Sequence, residues 1–367
     1  MQAFRCNRSN ANPQFTTYDF RMNQIDTLLI EMLDRGGSDL HLSVGAPPKA
    51  RIHGVIHPLN DDLLDEETME QILREVTPQH RWDNFLKTSD ADLAHEIPGK
   101  ARFRMNLFRN NWGMAAVLRQ VPSHIPSIDE LNLPSTLKKM ATYKDGLVLV
   151  TGPTGSGKST TLAAIINHIN ENYKKQIITL EDPVEFAHKD KESTIIHREV
   201  GEHTRTYYAG LKGAMRADPD VILIGEMRDK ETIRLALNCA AMGMLVFATL
   251  HTNSAAKTID RIINAFPADE QNQTRIMLAE SLRGIVSQLL CKKKGGGRVA
   301  VHEILLNHVA LPHCIRTNPK NIENIIGQNR ESGMITMDAS LRELLQKDLI
   351  TMEEAYMKAA DKSQFKV

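Results

Sequence analysis

Apolar residues at Ile25, Leu28, Leu29, Met32 and Leu33 recur every three or four positions, which predicts a helix from Asn23 that stops at Gly36-Gly37. The period then changes to two. Asp39 to Val44 alternates, Pro47-Pro48 breaks the run, and Lys49 to Ile56 alternates again around Gly54, predicting a hairpin in an antiparallel sheet. Asp65 to Val76 returns to helical spacing, and Asp90–His95, Ala101–Phe108 and Met114–Arg119 read as three further strands. The expectation for residues 22–120 is therefore a small α+β domain. Val121 to Ser127 carries two prolines in seven residues and reads as a linker over 121–127.

Beyond it, residues 128–367 show a different order. Continuously apolar runs at Gly146–Val150, Gln176–Glu181, Val221–Ile224 and Met244–Thr249 alternate with helical stretches, and the chain from Ala268 onward reads as helical. Buried strands between helices predict an α/β domain, a parallel sheet with helices on both faces, whose ligands sit at the carboxyl ends of the strands.

The chemistry-bearing residues fall at those ends. Gly152-Pro153-Thr154-Gly155-Ser156-Gly157-Lys158-Ser159-Thr160 lies between an apolar strand and a helical stretch, the context of a phosphate-binding loop. Its glycines let successive backbone N–H groups face a triphosphate, with the helix N-terminus adding its positive end. Lys158 is expected to reach the β- and γ-phosphates and Ser159 to ligate Mg²⁺, so ATP and Mg²⁺ are the expected ligands. Three carboxylates, Glu181, Asp182 and Glu185, follow one strand, and Glu226 follows another, where Gly225 takes the place usual for an aspartate. Glu226 would hold Mg²⁺ through water or polarise the attacking water, and Glu185 would serve as the base; spacing alone leaves the two roles open. His251, at a third strand end, is placed to contact the γ-phosphate. Positive charge for the transition state must come from arginines, and Arg102, Arg104 and Arg119 on the first domain's strands are candidates, with weaker support for Arg228, Arg261 and Arg275.

Composition narrows the function class. The chain has 45 basic and 45 acidic residues in 367, so no long-range field draws it to nucleic acid, and none is expected as a partner. The basic run Lys292 to Arg298 reads as a solvated hairpin turn. Cys6, Cys239, Cys291 and Cys314 form no Cys-x-x-Cys pair and read as reduced thiols of a cytosolic protein. Residues 1–21 are polar and without an apolar core, which predicts a disordered leader and not a secretory signal.

Residues 152–160, Glu181-Asp-Pro-Val-Glu185, Arg198-Glu-Val-Gly201, Asp218 to Asp229 and Ala248 to Ala255 together resemble the secretion-type ATPases, and Gly36 to Leu42 is similar to their N-terminal domain. Within that superfamily the chain is similar to the retraction ATPases of type IV pili. The resemblance implies a homo-hexameric motor of two-domain subunits, a PAS-like N-terminal domain and a RecA-like P-loop ATPase domain, turning ATP hydrolysis into pilus depolymerisation and twitching motility. It implies a cytoplasmic ring at the inner face of the membrane, against the pilus platform protein and in company with a second retraction ATPase. It assigns Glu181 to Glu185 as the Asp box, Glu226 as the Walker B acid, His251 as the His box, and Arg104 and Arg119 as phosphate contacts closing about the linker. Two departures leave an accessory pilus ATPase open: Met244 follows Gly243 where the family carries a histidine, and only Ala310, Ile315 and Arg316 of the C-terminal signature persist in Ala310 to Thr317. A secretion or pilus-assembly ATPase, a RecA-like motor on DNA and an ATP-gated scaffold are the other readings.

Overall fold

The computed structural model describes residues 23–121, 124–317 and 321–366. The expected leader, and Pro122 and Ser123 of the expected linker, lie outside them. The chain divides into two compact units between Gln120 and Val121.

The first unit opens with helix α1 (Gln24–Asp34), which buries Ile25, Leu28, Leu29 and Met32. Its six-stranded sheet has the order β3-β2-β1-β6-β5-β4, built from β1 (Gly37–Ser43), β2 (Lys49–Ile52), β3 (Val55–Pro58), β4 (Asp90–Ile97), β5 (Ala101–Asn110) and β6 (Gly113–Val121). The alternation read as one strand from Lys49 to Ile56 is two. His53 and Gly54 both take positive φ, 49° and 87°, and such a pair makes the tight turn whose twist matches a hairpin. Helix α2 (Glu66–Val76) starts where the Asp65 carboxylate accepts from the Thr68 N–H at 2.8 Å. Helix α3 (Gln79–Thr88) has no counterpart in the sequence reading, because only Trp82 and Phe85 of its ten residues are buried apolar groups. Two anchors on one face make a weak periodic signal but a large buried area.

The second unit is a seven-stranded sheet of order β13-β12-β7-β11-β10-β8-β9. Strands β7 (Gly146–Thr151), β8 (Gln176–Glu181), β9 (Thr194–Glu199), β10 (Val221–Ile224) and β11 (Leu245–Leu250) are parallel, and β7, β10 and β11 are buried throughout. Helices α4 (Thr136–Ala141), α5 (Lys158–Asn172), α6 (Tyr207–Ala214), α7 (Lys230–Ala241), α8 (Ala255–Ile263) and α9 (Gln271–Ser281) accompany them. The apolar alternation of strands and helices thus becomes the α/β layer it predicts.

The expectation of helix from Ala268 onward is corrected. Helix α9 ends at Ser281, and Leu282–Lys292 (β12) and Arg298–Leu306 (β13) form a long antiparallel hairpin before helices resume. Strand β12 also pairs in parallel with β7, so it is covered on both edges, and most of its residues are buried. A doubly covered strand shows no alternation, and periodicity alone does not separate it from a buried helix. The closing helices α10 (Leu311–Thr317), α11 (Ile322–Gln328), α12 (Met337–Gln346) and α13 (Met352–Lys358) follow, α12 and α13 sharing a small apolar cluster with Cys291 and Val301. Among the described residues no helix is long and apolar enough to cross a membrane.

Candidate functional site

The glycine-rich loop runs from the end of β7 into α5, whose first turn begins at Gly157 without a side-chain cap. A helix start leaves backbone N–H groups without intrahelical partners, and here they face the loop. Gly152, Gly155 and Gly157 hold φ of 147°, 77° and 85°. Lys158 is buried, and its Nζ donates to the carbonyl oxygens of Gly152 at 2.9 Å and Pro153 at 3.1 Å, curling the side chain back over the loop. Burial lowers its pKa, while the charges of Glu226 and Glu185 oppose that shift, so both acids face the lysine. Gly155, Gly157, Lys158, Ser159, Thr160 and Glu185 line one cleft of about 1080 Å³, a size fit for a nucleotide.

Glu226 is joined to two of the candidates. Its Oε1 lies 3.1 Å from His251 Nε2 and its Oε2 lies 2.7 Å from the Arg228 guanidinium. Burial pushes its pKa up, yet the Arg228 and His251 contacts outweigh it and hold the carboxyl below the usual range. The register explains the meeting: Ile224 on β10 pairs with Ala248 on β11, so Glu226, two residues beyond β10, and His251, one residue beyond β11, emerge at the same end of the sheet. Between them the Met227 N–H donates to the Thr249 carbonyl at 3.2 Å, and the Thr249 hydroxyl donates to the Gly225 carbonyl. Gly225, in the usual aspartate position, is closely surrounded. A Cβ there would stand 3.1 Å from the Tyr207 hydroxyl and 3.3 Å from both the Glu181 Cα and the Leu180 carbonyl oxygen. Burial, with Asp182 and Glu181 nearby, raises the Tyr207 pKa, so its phenol stays protonated among three carboxylates. Nothing in the sequence pattern singled out Tyr207.

The acidic loop after β8 is tied down from β9. Glu199 Oε2 accepts from the Val184 N–H at 3.1 Å, and His197 Nδ1 lies 2.8 Å from the Thr179 hydroxyl and 3.9 Å from Glu181. His197 Nε2 accepts from the His188 N–H at 3.0 Å, and the two imidazoles stack with centroids 5.8 Å apart. Burial first, then His197 and Lys191, lowers the His188 pKa to about 3; burial alone lowers that of His302, on β13, to about 4. Both rings are neutral when folded, and the unfolded chain takes up their protons near pH 6.5. Their contribution is therefore complete above about pH 6.5 and is lost as the pH falls toward the folded values, about 2 kcal/mol each between pH 7 and pH 5. In urea unfolding at the two pH values, His188→Gln is expected to shrink the wild-type difference by about 2 kcal/mol. An unchanged difference would refute this linkage.

Within the first unit, Arg119 sits directly across from Asp39 in the β1–β6 register, and its Nε donates to Asp39 Oδ1 at 2.7 Å. The carboxylate side chain is only 5% exposed and the guanidinium side chain 72%, so a buried anion holds an arginine whose terminal fork faces water. Arg104 Nε lies 4.0 Å from Asp92 on β4, and Arg102 stands opposite Glu96. Of the weaker candidates, Arg228 joins Glu226, Arg275 donates to the Ile315 carbonyl at 3.1 Å, and Arg261 is exposed on α8. The basic run forms the β12–β13 turn, where Lys294 pairs with Asp348, while Lys293 and Arg298 line the cleft over the glycine loop.

Gln288, on β12, is the largest omission from the sequence reading. It is 2% exposed and contacts both the glycine loop and α5. No local pattern marks it, because Ser156 and Thr161, which it bonds, lie more than a hundred residues earlier. Among the described residues no cluster of three or more histidine, cysteine or acidic side chains is arranged to hold a metal ion by itself.

The chain matches the family model described as type II/IV secretion system protein over residues 18–357. It is 44% identical over 336 residues to the type IV pilus retraction ATPase PilT of Pseudomonas aeruginosa, covering 91% of this chain and 98% of that one. It is 40% identical over 337 residues to the type IV pilus ATPase PilU of the same organism, covering 90% and 87%. Among solved structures, the pilus retraction motor PilT with bound ADP superposes with a TM-score of 0.85 at 41% identity, over 92% of this chain and 97% of that one.

Proposed function

Because this chain belongs to the type II/IV secretion system protein family, we propose that it is a P-loop ATPase that powers type IV pilus retraction. The observation that carries the reading is the joining of Glu226 to His251 and Arg228 at the strand ends, with Lys158 of the glycine loop feeling the charge of both Glu226 and Glu185. Gly152 to Thr160 cradle the phosphates, and Lys158 leaves its two loop carbonyls for the phosphate oxygens. The donor set fits a hard divalent cation: the Ser159 hydroxyl at the first turn of α5 and the carboxylate of Glu226, acting through water, would hold Mg²⁺. Held there, Mg²⁺ would supply positive charge against the phosphates. A carboxylate already paired with a guanidinium and an imidazole is a weak proton acceptor, so Glu226 orients water and Glu185 is the better-placed base. Arg104 and Arg119 supply the remaining positive charge in this reading; support comes from the solvent-facing fork that Asp39 presents on Arg119.

The assembly we propose is a homo-hexameric ring, cytoplasmic and peripheral to the inner membrane face, acting on the pilus platform protein. The retraction reading is tested in a deletion strain, which is expected to carry more surface pili and to lose twitching. Complementation with the intact chain restores motility. Normal piliation with normal twitching would remove the retraction role, and normal piliation with impaired twitching would favour an accessory one. The second reading rests on the 40% identity to PilU and on α10, where Pro312 and His313 stand inside the altered signature.

A further inference from the structure

Both ends of the Gln288 amide are engaged. Its Nε2 donates to the Ser156 carbonyl at 2.6 Å. Its Oε1 accepts from the Thr161 hydroxyl at 2.7 Å and lies 3.1 Å from His302 Nε2, so one side chain ties the glycine loop, α5 and β13 together. Residue 288 packs close against the loop through both its side chain and its main chain. A Cβ on Gly157 would stand 2.9 Å from Gln288 Nε2, and one on Gly152 would overlap the Gln288 carbonyl oxygen.

The bond to Ser156 has a stereochemical consequence. In a trans peptide the C=O and the following N–H point in opposite directions. Anchoring the Ser156 carbonyl toward β12 therefore turns the Gly157 N–H away from β12. An N–H held apart from its anchored carbonyl in this way is a donor the loop can offer an anion, beside the N–H groups of the first α5 turn that lack intrahelical partners. Without the anchor, the 156–157 peptide is free to rotate and present its carbonyl oxygen, which repels phosphate.

We propose that Gln288 is a positioning residue for nucleotide binding: its amide donor locks the Ser156–Gly157 peptide in the phosphate-accepting orientation. The inference rests on the reading that residues 152–160 hold nucleotide phosphates. Gln288 acts through the loop, as a brace from β12, the strand hydrogen-bonded beside β7.

The test is ADP binding to the full-length protein by fluorescent-ADP titration between pH 6 and pH 8.5, with Gln288→Glu and Gln288→Met beside wild type. The charged and titratable groups that face position 288 are Lys158 on α5, which bonds the neighbouring loop carbonyls, and His302 on β13, which burial keeps neutral throughout this range. In Gln288→Glu burial raises the carboxyl pKa against the opposing pull of Lys158 and of His302 at 3.1 Å; protonated, the carboxyl restores an O–H donor to Ser156, and ionised, it sets an anion against that carbonyl. The glutamate variant is expected to bind within about threefold of wild type at pH 6 and about 30-fold more weakly at pH 8.5, the scale of one buried hydrogen bond. Wild type changes little over the range. Gln288→Met, with no donor and no charge, is weakened at both ends. Because the decisive comparison is one protein at two pH values, a general folding defect does not mimic it. Binding by Gln288→Glu that follows the wild-type pH profile overturns the proposal. No ADP binding by wild type at any pH overturns the phosphate-loop reading itself, and the inference with it.

Discussion

Replacing Glu226 by glutamine is expected to lower ATP turnover about 10²- to 10³-fold while ADP binding stays within about threefold of wild type. The expectation follows from what the amide keeps and what it loses. Glutamine preserves the volume and one acceptor, so the Thr249 and Gly225 backbone bonds around it persist and the glycine loop is untouched. It loses the charge that holds Arg228 and His251 on its two oxygens, and the charge that would hold the metal through water. Because Glu226 sits below the ordinary carboxylate range, it is ionised across the physiological range, and the defect should be the same at pH 6.5 and pH 8. Steady-state phosphate release measures turnover, and calorimetric ADP titration measures binding. The companion variant Glu185→Gln assigns the base. A larger turnover loss there than in Glu226→Gln agrees with Glu185 taking the proton, and wild-type turnover in Glu226→Gln would remove Glu226 from the mechanism.

Gly152→Ala is expected to be worse for the fold than for any single contact, costing about 3 kcal/mol or more and abolishing measurable ADP binding. At φ 147° an L side chain is already strained. The added Cβ would overlap the Gln288 carbonyl oxygen and stand 2.6 Å from the Ser156 hydroxyl oxygen. The carbonyl belongs to β12, which is hydrogen-bonded along both edges, so it cannot yield. Gly155→Ala is the control. Its φ is 77°, but a Cβ there meets nothing within 4 Å, so only the backbone penalty of about 1–2 kcal/mol applies. Thermal unfolding and ADP titration of the pair separate the two costs. Equal behaviour of the two variants would mean that the close approach of β12 to the loop does not matter.

The two variants also mark how far local pattern reaches. The strand, glycine loop and helix at Gly146–Asn172 are legible because their signals are contiguous: an apolar run, a turn rich in glycine, then a helix start. Glu226 and His251 are legible as strand-end residues, because apolar runs of four to six residues announce the strands that carry them. Helix α3 was not, since Trp82 and Phe85 carry its burial almost alone. The β12–β13 hairpin was not, since a strand paired on both edges and covered on both faces has no period of two to read.

By itself, then, the sequence determined the element alternation of the parallel sheet, the phosphate loop and the acids beyond the strands, each encoded within a stretch of about ten residues. Tertiary structure decided the rest. It joined Glu226 to His251 and Arg228, crowded the Cβ position of Gly225 against Tyr207, and brought Gln288 under a loop 132 residues away from it in sequence. The physical reason is that these contacts depend on strand order and register, which parallel crossovers set by packing whole layers together, and no local period records which strand ends will be neighbours.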